Sequence, residues 1–379
     1  MAVYGTRPEA VKLAPIIRQF DADARFALTV AVTGQHRSML DQINAGFGIR
    51  PDVDLDVFEA GQSLCTLASK TLIRLESAIK AHQPEAILVQ GDTSSAFAAA
   101  LAGFYTQTPV VHVEAGLRTL SIESPYPEEG NRRLITRVSA LHLAPTEANK
   151  QNLLDEGVPA SDVTITGNPV IDALRIAVAT PSTFTDPQVE RAAMSGSVVL
   201  ITAHRRESWG RPMHDIAEAV HALCLSYPDV HFVFPLHANP AVRAIFQEHL
   251  SEVENCVLTE PLDYFELASL LAACKLVITD SGGIQEEAPA LGVPVVVLRN
   301  ETERAEGVEA GTAVLVGTDR AAIINTVSEL LSDSARHAAM ANAINPYGDG
   351  KAADRTVAAT AQLLGVGERL PDFSVKEMP

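Results

Sequence analysis

Glycine and hydroxyl residues follow one apolar strand of the sequence at the point where it ends. In the segment 275–292 (KLVITDSGGIQEEAPALG), the strand is followed by Ser281, Gly282 and Gly283 and then by a helical pattern. Glycine lets a ligand approach the backbone closely, and the unpaired N–H groups and positive dipole end of a helix bind phosphate. The segment therefore predicts a nucleotide site, in which either glutamate of QEE could accept hydrogen bonds from a ribose. The alternative is a serine-capped helix with solvated glutamates.

Cationic side chains follow two other predicted strands. Arg7 and Lys12 follow the first strand in YGTRPEAVK, and His204 and Arg205 follow another strand in LITAHRRES. A single arginine at such a place is usually a surface residue, but two strand ends that supply Arg, Lys and His fit a bound diphosphate better. His237 follows a strand in PLHANP, where a structural histidine is an equally good interpretation.

Carboxylates follow strands in the first half of the chain. Asp92 follows one strand in VQGDTSS, Glu114 follows the next, and Glu128 and Glu129 lie in the loop SPYPEEGNRR before a helix. Asp92 could simply cap a helix, and one of the two adjacent glutamates could lie in a first helical turn for the dipole. Three acids at successive strand or loop ends instead suggest proton transfer or stabilisation of positive charge. These features leave open which of Glu128 and Glu129 takes such a role.

The elements that would position these residues alternate between strands and helices. Strands that are apolar on both faces, separated by helix-length segments, are typical of parallel sheets covered on both sides. The predicted strands are 27–32, 86–90, 109–113, 162–166, 198–202, 230–234, 275–279 and 294–298. The fold class predicted is α/β, with two Rossmann-like, doubly wound domains facing a cleft.

The alternation of predicted strands and helices is interrupted near Pro169, where we place the domain junction. The predicted domains are 1–168, which carries the acids, and 169–355, which binds the nucleotide. Residues 356–379 are predicted to form a terminal helix and tail that pack back on the first domain. In folds of this kind, ligands bind at the carboxyl ends of the strands, which would line the cleft.

Composition excludes several classes of function. The 379 residues suit two domains, and the net charge of −18 argues against binding to nucleic acid or an anionic membrane. The four cysteines are scattered and predict buried thiols in a reducing cytoplasm, without a metal site. The uncharged run 93–113 predicts a buried helix and strand rather than a membrane span. No Walker lysine or GxGxxG pattern is present, and we predict no cofactor.

Beyond these features, the sequence resembles a known family over residues 3 to about 356. The motifs GTRPEAVKLAP, TGQHRSMLDQ, GDTSS, HVEAGLRT, SPYPEEGNR, TGNPVIDAL, TAHRRES, TDSGGIQEEAPALG and NPYGDG occur in order. They are similar to those of the non-hydrolysing UDP-N-acetylglucosamine 2-epimerases. The resemblance implies the glycosyltransferase type B fold and the interconversion of UDP-N-acetylglucosamine and UDP-N-acetylmannosamine, which supplies cell-surface polysaccharide synthesis. It also implies a homodimer without a cofactor.

The resemblance implies a role for each matching residue. The reaction would eliminate UDP to give bound 2-acetamidoglucal and then add UDP back with the opposite configuration. Catalysis would involve Asp92, Glu114, Glu128 and His204, with the acid and the base left open among the three carboxylates. This leaves Glu123 and Glu129 as solvent-side or capping residues. The UDP-sugar would contact Arg7, Lys12, Ser281, Gly282, Gly283 and Arg304, with Glu287 at the ribose and the Leu262 backbone at the uracil. An allosteric UDP-N-acetylglucosamine would bind near Gln35, His36, Arg205 and His237.

Three other functions fit parts of this pattern. A hydrolysing epimerase of the same fold would release UDP and free N-acetylmannosamine. A glycosyltransferase would require an acceptor. A catalytically silent nucleotide-sugar sensor would have no need for the full set of acids.

Overall fold

The computed structural model describes residues 1–34, 37–59, 61–119, 121–205 and 208–375. Contacts within the chain divide it into two compact units. Unit 1 comprises Met1–Ala173 and the chain from Tyr347 onward, and unit 2 comprises Leu174–Pro346. The contacts thus place the junctions at 173/174 and 346/347, whereas the sequence placed them near Pro169 and after residue 355.

Unit 1 is built, within the described residues, on a seven-stranded parallel sheet of order β3-β2-β1-β4-β5-β6-β7. The strands are β1 Ala2–Tyr4, β2 Val30–Val32, β3 Val53–Asp54, β4 Ile87–Gln90, β5 Val110–Val113, β6 Leu141–Ala144 and β7 Val163–Ile165. The helices are α1 Arg7–Asp21, α2 Arg37–Phe47, α3 Leu64–His82, α4 Ser94–Tyr105, α5 Glu128–Val138, α6 Glu147–Asp155, α7 Pro169–Ala179, which crosses the junction, and α16 Ala352–Leu363. The terminal helix α16 packs against α1 and β6.

Unit 2 is built, in the part described, on a six-stranded parallel sheet of order β10-β9-β8-β11-β12-β13. The strands are β8 Val198–Thr202, β9 His231–Pro235, β10 Cys256–Thr259, β11 Cys274–Thr279, β12 Val295–Val297 and β13 Ala313–Leu315. The helices are α8 Pro187–Met194, α9 Arg211–Ser226, α10 Pro240–Leu250, α11 Tyr264–Ala273, α12 Gly282–Glu287, α13 Ala305–Glu309, α14 Arg320–Ser332 and α15 Ser334–Ala341.

The sequence explains where these elements begin and what they bury. Strands β4 and β5 are buried over their whole length, because helices cover both faces of a parallel sheet. Helix α1 begins at a capping box formed by Thr6 and Glu9. Helix α4 begins at Thr93, whose hydroxyl accepts a hydrogen bond from the Ala96 N–H. The apolar clusters lie within the separate units, so each unit has its own core.

The predicted fold class, α/β with two doubly wound parallel sheets, is confirmed. A strand lies within, or within one residue of, each of the eight predicted runs. The sequence missed four short strands: β3, β6, β10 and β13. Strand β3 has only two residues, so it does not present the apolar run by which the other strands were recognised.

All four cysteines are free thiols. Cys224 and Cys256 are buried as predicted, but Cys65 on α3 is exposed, which corrects the expectation that all four are buried. Run 93–113 forms α4 and β5, as predicted. Among the helices in the described ranges, none has the length and apolar character of a segment that crosses a bilayer.

Candidate active site

Strand order reverses at one place in each sheet. In unit 1 this place lies between β1 and β4, and in unit 2 it lies between β8 and β11. The connections that follow two such strands run in opposite directions, which leaves a crevice at their carboxyl ends where ligands bind in open α/β sheets. The predicted site residues follow strands that include these four.

Glu114, which directly follows β5, has the most contacts of the predicted acids in unit 1. Its carboxylate lies 2.5 Å from the Lys12 ammonium, 3.2 Å from the Asn168 amide nitrogen and in hydrogen-bond contact with the Gln90 amide. The Glu114 backbone has φ +61°, a left-handed conformation that costs about 1–3 kcal/mol for a residue with a side chain. The surrounding contacts hold this conformation, which aims the carboxylate over the end of β4.

Asp92 lies just after β4 and is held by α5. Its Oδ2 accepts hydrogen bonds from two guanidinium nitrogens of Arg132, at 2.8 and 2.7 Å, and its carbonyl oxygen accepts one from Asn131 at 2.8 Å. Since Thr93 caps α4, capping is not the role of Asp92. The Asp92 side chain remains 25% exposed, so it is paired and still reachable by a ligand.

The turn that carries Asp92 is supported by a buried histidine. The Nε2 atom of His112 on β5 lies 2.8 Å from the Gly91 carbonyl oxygen. Burial lowers the pKa of His112 to about 4, so the ring is neutral and donates its Nε2 proton to this carbonyl. His112 therefore fixes the backbone directly before Asp92.

The adjacent glutamates at the start of α5 have different surroundings. Glu128 is half-buried and lies one helical turn before Asn131 and Arg132, on the face of α5 that reaches Asp92. Glu129 is fully buried and accepts hydrogen bonds from Arg132 at 3.1 Å, Arg133 at 2.8 Å and the Thr119 N–H at 3.1 Å. The expectation that Glu129 is solvent-side or a cap is wrong, because it is a buried anchor for two arginines. Glu123 is exposed, as predicted.

A buried carboxylate connects the ends of β1 and β4. Glu9 accepts hydrogen bonds from the Gly5 N–H at 3.0 Å, the Thr6 N–H at 2.8 Å and the Thr93 hydroxyl at 2.6 Å. Burial raises the pKa of Glu9 despite these hydrogen bonds. Arg7 follows Thr6 and is exposed. Glu9 thus hydrogen-bonds both the residues directly before Arg7 and the residue directly after Asp92, which fixes the two segments relative to each other.

In unit 2, a buried aspartate organises the ends of β8 and β11. Asp280 is fully buried, and its Oδ2 accepts hydrogen bonds from the His204 and Arg205 N–H groups, both at 2.7 Å. Its Oδ1 lies 2.9 Å from Nδ1 of His204, whose side chain is 36% exposed. Burial is the largest single influence and would raise the Asp280 pKa, but the hydrogen bonds and charge of His204 and the N–H groups together lower it.

The glycine turn beside Asp280 lies against an arginine. A Cβ added to Gly282 would lie 2.8 Å from Cζ of Arg304, so the guanidinium occupies the space that a side chain would need. Arg304 donates to Glu286 at 3.0 Å. Glu287 accepts a hydrogen bond of 3.1 Å from the Tyr264 hydroxyl. The first N–H groups of a helix have no acceptor within it, so Gly282 and Gly283 bring backbone donors and a guanidinium close together.

His237 lies beside His204 in the same unit. The two rings are stacked, with centroids 5.9 Å apart and an interplanar angle of 17°. Nδ1 of His237 accepts a hydrogen bond of 3.1 Å from the Asn239 N–H. His237 is therefore placed by its own loop while its ring faces a predicted catalytic group.

Comparisons with known proteins identify the family. A sequence model described as UDP-N-acetylglucosamine 2-epimerase matches residues 18–361. The UDP-N-acetylglucosamine 2-epimerase of Escherichia coli (strain K12) is 43% identical over 372 residues, covering 95% of this chain and 97% of that protein. The chain belongs to the UDP-N-acetylglucosamine 2-epimerase family.

Solved structures of this family share the fold over nearly the whole chain. A putative UDP-N-acetylglucosamine 2-epimerase from Listeria monocytogenes matches with a TM-score of 0.93 and 43% identity, covering 99% of this chain and 98% of that one. The UDP-GlcNAc 2-epimerase from Neisseria meningitidis, solved bound to UDP-GlcNAc, matches with a TM-score of 0.86 and 44% identity. These alignments cover 96% of this chain and 99% of the Neisseria chain.

Most of the predicted site residues lie at strand ends, one set in unit 1 and the other in unit 2. Asp92 follows β4, Glu114 follows β5 and Glu128 begins α5, and Lys12 contacts Glu114 directly. In unit 2 the structure brings together the ends of β8 and β11, which carry His204, Arg205, Ser281, Gly282 and Gly283. Leu262 is half-buried and lies two residues before Tyr264, whose hydroxyl donates a hydrogen bond to Glu287. Gln35 and His36 lie outside the described residues.

Sequence reasoning missed several residues that hold this epimerase-family site together. Glu9 could have been found, since T-x-x-E before an apolar run is a capping-box pattern. Asp280 directly follows a predicted strand and was passed over for the Ser-Gly-Gly beside it. Arg132, Gln90 and Tyr264 act only through residues distant in sequence, so no local pattern marks them.

One group of potential metal ligands lies elsewhere in the described residues. Ligand atoms of His214, Glu248 and His249, on α9 and α10, lie within 4.8 Å of one another. None of the three is a predicted site residue. The candidate site itself is built from carboxylates paired with cations and from anion-binding donors, which does not resemble a ligand set for a metal.

Proposed function

We propose that this protein interconverts UDP-N-acetylglucosamine and UDP-N-acetylmannosamine without hydrolysis. In one half of the reaction, a base removes the proton from C2 of the sugar, the electrons form the C1–C2 double bond, and the C1–O bond to UDP breaks. In the other half, an oxygen of UDP bonds to C1 again, and an acid delivers a proton to C2 on the opposite face. The observation that carries the proposal is the set of carboxylates Asp92, Glu114 and Glu128 at the carboxyl end of one sheet.

The carboxylates of unit 1 suit proton transfer because each has different surroundings. Glu114 is paired with Lys12, and Asp92 with Arg132. Glu128 makes no hydrogen bond through its side chain to any described residue. A base and an acid on opposite faces of one carbon need separate carboxyl groups, and this arrangement supplies them. Arginine and lysine partners also limit repulsion between the acids.

The groups of unit 2 suit the leaving diphosphate. When the C1–O bond breaks, UDP gains negative charge, and positioned N–H donors and cations stabilise that charge in the transition state. Gly282, Gly283, Arg304 and His204 supply such donors at the ends of β8 and β11. Glu287 and Tyr264 form a hydrogen-bonded pair from which the carboxylate could accept a ribose hydroxyl.

Incubation with UDP-N-acetylglucosamine in heavy water tests the proposal. We expect the nucleotide sugar to be retained, to equilibrate between the two epimers and to acquire deuterium at C2, all without an acceptor. Stoichiometric free UDP with N-acetylmannosamine would overturn the proposal in favour of hydrolysis. A lack of label and of epimer would overturn it in favour of a transferase or a binding protein.

We further propose that the protein acts as a homodimer in the cytoplasm. Ile73 on α3 and Phe104 and Tyr105 on α4 are 64%, 56% and 66% exposed, and α3 packs against α4. Large exposed apolar side chains on two helices that pack together support self-association. Free thiols support a reducing compartment. Light scattering should give about twice the 40.4 kDa of one chain, and a mass of one chain would contradict the dimer.

We also propose that a second molecule of UDP-N-acetylglucosamine activates the enzyme near Arg205 and His237. The stacking of His237 on His204 supports this, since a ligand that moved one ring would change the surroundings of the other. Starting from UDP-N-acetylmannosamine, progress curves should show a lag that added UDP-N-acetylglucosamine removes. Linear progress from the first turnover would contradict activation.

A further inference from the structure

Asp280 makes three contacts with a single short segment of chain. One oxygen binds two successive backbone N–H groups, those of His204 and Arg205, and the other oxygen faces the His204 ring at 2.9 Å. The paired strands explain this geometry, because Thr202 and Thr279 are in register and the chain continues from both at the same level. The backbone and ring of His204 are therefore fixed by the same carboxylate.

The chemistry of a carboxylate determines the state of the ring. The 2.9 Å separation is an ion-pair distance, and Oδ1 has no partner in hydrogen-bond geometry among the described residues. An ionised carboxylate can only accept, so an oxygen this close to Nδ1 favours a proton on that nitrogen over a lone pair. The net effect of the surroundings is to lower the Asp280 pKa, which keeps the carboxylate ionised at neutral pH. With Nδ1 occupied, Nε2 is the ring nitrogen left for a substrate.

A purely structural role for Asp280 would not need its contact with the His204 ring. The hydrogen bonds from the His204 and Arg205 N–H groups are enough to hold the chain after β8 against the end of β11. A neutral amide oxygen could also accept both of them. The additional contact with the ring costs the burial of a full charge, since Asp280 has no exposed surface. The buried charge of Asp280 therefore fits a role in positioning the His204 ring as well as in holding the loop.

We propose that Asp280 is a positioning residue of the reaction: it holds His204 in the Nδ1-protonated form, directs Nε2 to the diphosphate of the nucleotide sugar, and stabilises the imidazolium that faces departing UDP. This inference deepens the proposed function and rests on it. Asp280 does not touch the reacting atoms, and its effect passes through His204. The imidazolium carries a proton on Nε2 as well as on Nδ1 before the bond breaks. Breaking the C1–O bond moves an electron pair onto UDP, and the Nε2–H of His204 donates a hydrogen bond to the new charge without transferring its proton.

Two other groups lie beside the ring. The His237 ring is stacked on it, with centroids 5.9 Å apart. Arg205 is the next residue and adds positive charge nearby. Asp280 is the carboxylate in contact with the ring, so its removal takes away the negative charge that faces Nδ1.

The test compares Asp280→Asn with the unmodified enzyme. The amide can still accept the backbone hydrogen bonds, but it turns an N–H donor toward Nδ1 and so favours the other tautomer. We expect kcat to fall about 100-fold or more and KM to change less than about threefold. Asp319→Asn, at the exposed N-cap of α14, is the matched control and should keep full activity.

A double-mutant cycle separates positioning from general stability. If Asp280 acts through His204, adding Asp280→Asn to His204→Ala should reduce kcat by less than about threefold further. Full additivity of the two losses would overturn the proposal. Wild-type kcat in the Asp280→Asn variant would also overturn it.

A measurement that needs no variant and no turnover covers the case in which Asp280→Asn fails to fold. In the intact protein labelled with ¹⁵N-histidine, NMR should show the His204 ring protonated at Nδ1 at neutral pH, and the Nε2–H tautomer would overturn the proposal. If the unmodified enzyme does not epimerise its substrate, the proposed function fails while this tautomer can still be established. If it does epimerise and the variant matches it, only the positioning role fails.

Discussion

The carboxyl ends of the two sheets carry different kinds of chemistry. In unit 1 the groups are charged side chains paired with one another, as in Glu114 with Lys12 and Asp92 with Arg132. In unit 2 they are glycines and backbone donors beside the Arg304–Glu286 ion pair, and the buried Asp280 carboxylate accepts from N–H groups. The first arrangement can exchange protons with a ligand, whereas the second can hold an anion without giving up a proton. Two sheets of the same topology thus differ in function through the short segments after their strands.

The largest expected effect comes from removing the central charge of unit 1. Glu114→Gln keeps the size of the side chain but removes the negative charge that faces Lys12. If unit 1 supplies proton transfer and unit 2 supplies binding, kcat should fall by about 10³ to 10⁴-fold. UDP affinity, measured by calorimetry, should change little.

The matched control for this change is the exposed Glu123→Gln, which should retain full kcat. A Glu114→Gln variant that lost UDP affinity in proportion to kcat would contradict the division of labour between the two units.

The second effect separates two adjacent glutamates. Glu128→Gln should lower kcat about 100-fold with no change in the melting temperature, because Glu128 makes no hydrogen bond through its side chain to the described residues. Glu129→Gln should instead lower the free energy of unfolding by about 1–3 kcal/mol, because it replaces one of the two buried accepting oxygens by an NH2 donor that faces N–H groups and removes the charge paired with Arg132 and Arg133.

Thermal unfolding and initial rates, measured on the same two samples, check this separation. Some loss of activity is expected in Glu129→Gln as well, because Arg132 contacts both Glu129 and Asp92. Destabilisation by Glu128→Gln, or an unchanged melting temperature in Glu129→Gln, would show that the roles of the pair are reversed.

These adjacent glutamates also show how far the sequence predicts the structure. Apolar runs such as 86–90 and 198–202 predict strands, since burial on both faces depends on local composition. The sequence likewise predicts that Asp92 and Glu114 lie at strand ends, because order along the chain carries that information.

What the sequence does not predict is which partner each charge finds. Glu128 and Glu129 are chemically identical and adjacent, and only the packing of α5 buries one of them against Arg132 and Arg133. The contact of Gln90 with Glu114 and that of Asp280 with His204 also join segments distant in sequence. Such contacts depend on strand order, which a single sequence specifies only through the completed fold.

The smallest expected effect concerns the anion-binding turn of unit 2. In Gly282→Ala, the new Cβ would lie 2.8 Å from Cζ of Arg304, so the guanidinium must move while the backbone can stay. We expect the Kd for UDP, measured by calorimetry, to rise about tenfold, which corresponds to about 1.4 kcal/mol. The melting temperature should change little, since the displaced atoms are the end of a flexible side chain.

The same substitution in unit 1 provides the control for Gly282→Ala. A Cβ on Gly130, within α5, would lie 3.8 Å from Ile122, so Gly130→Ala meets no clash and should leave UDP affinity unchanged. If Gly282→Ala lowered kcat while keeping the wild-type Kd for UDP, the turn would act on the reacting sugar rather than on the anion. Gly282 has no side chain and can offer a ligand only its backbone N–H. That result would therefore contradict the division between a proton-transferring unit 1 and an anion-binding unit 2.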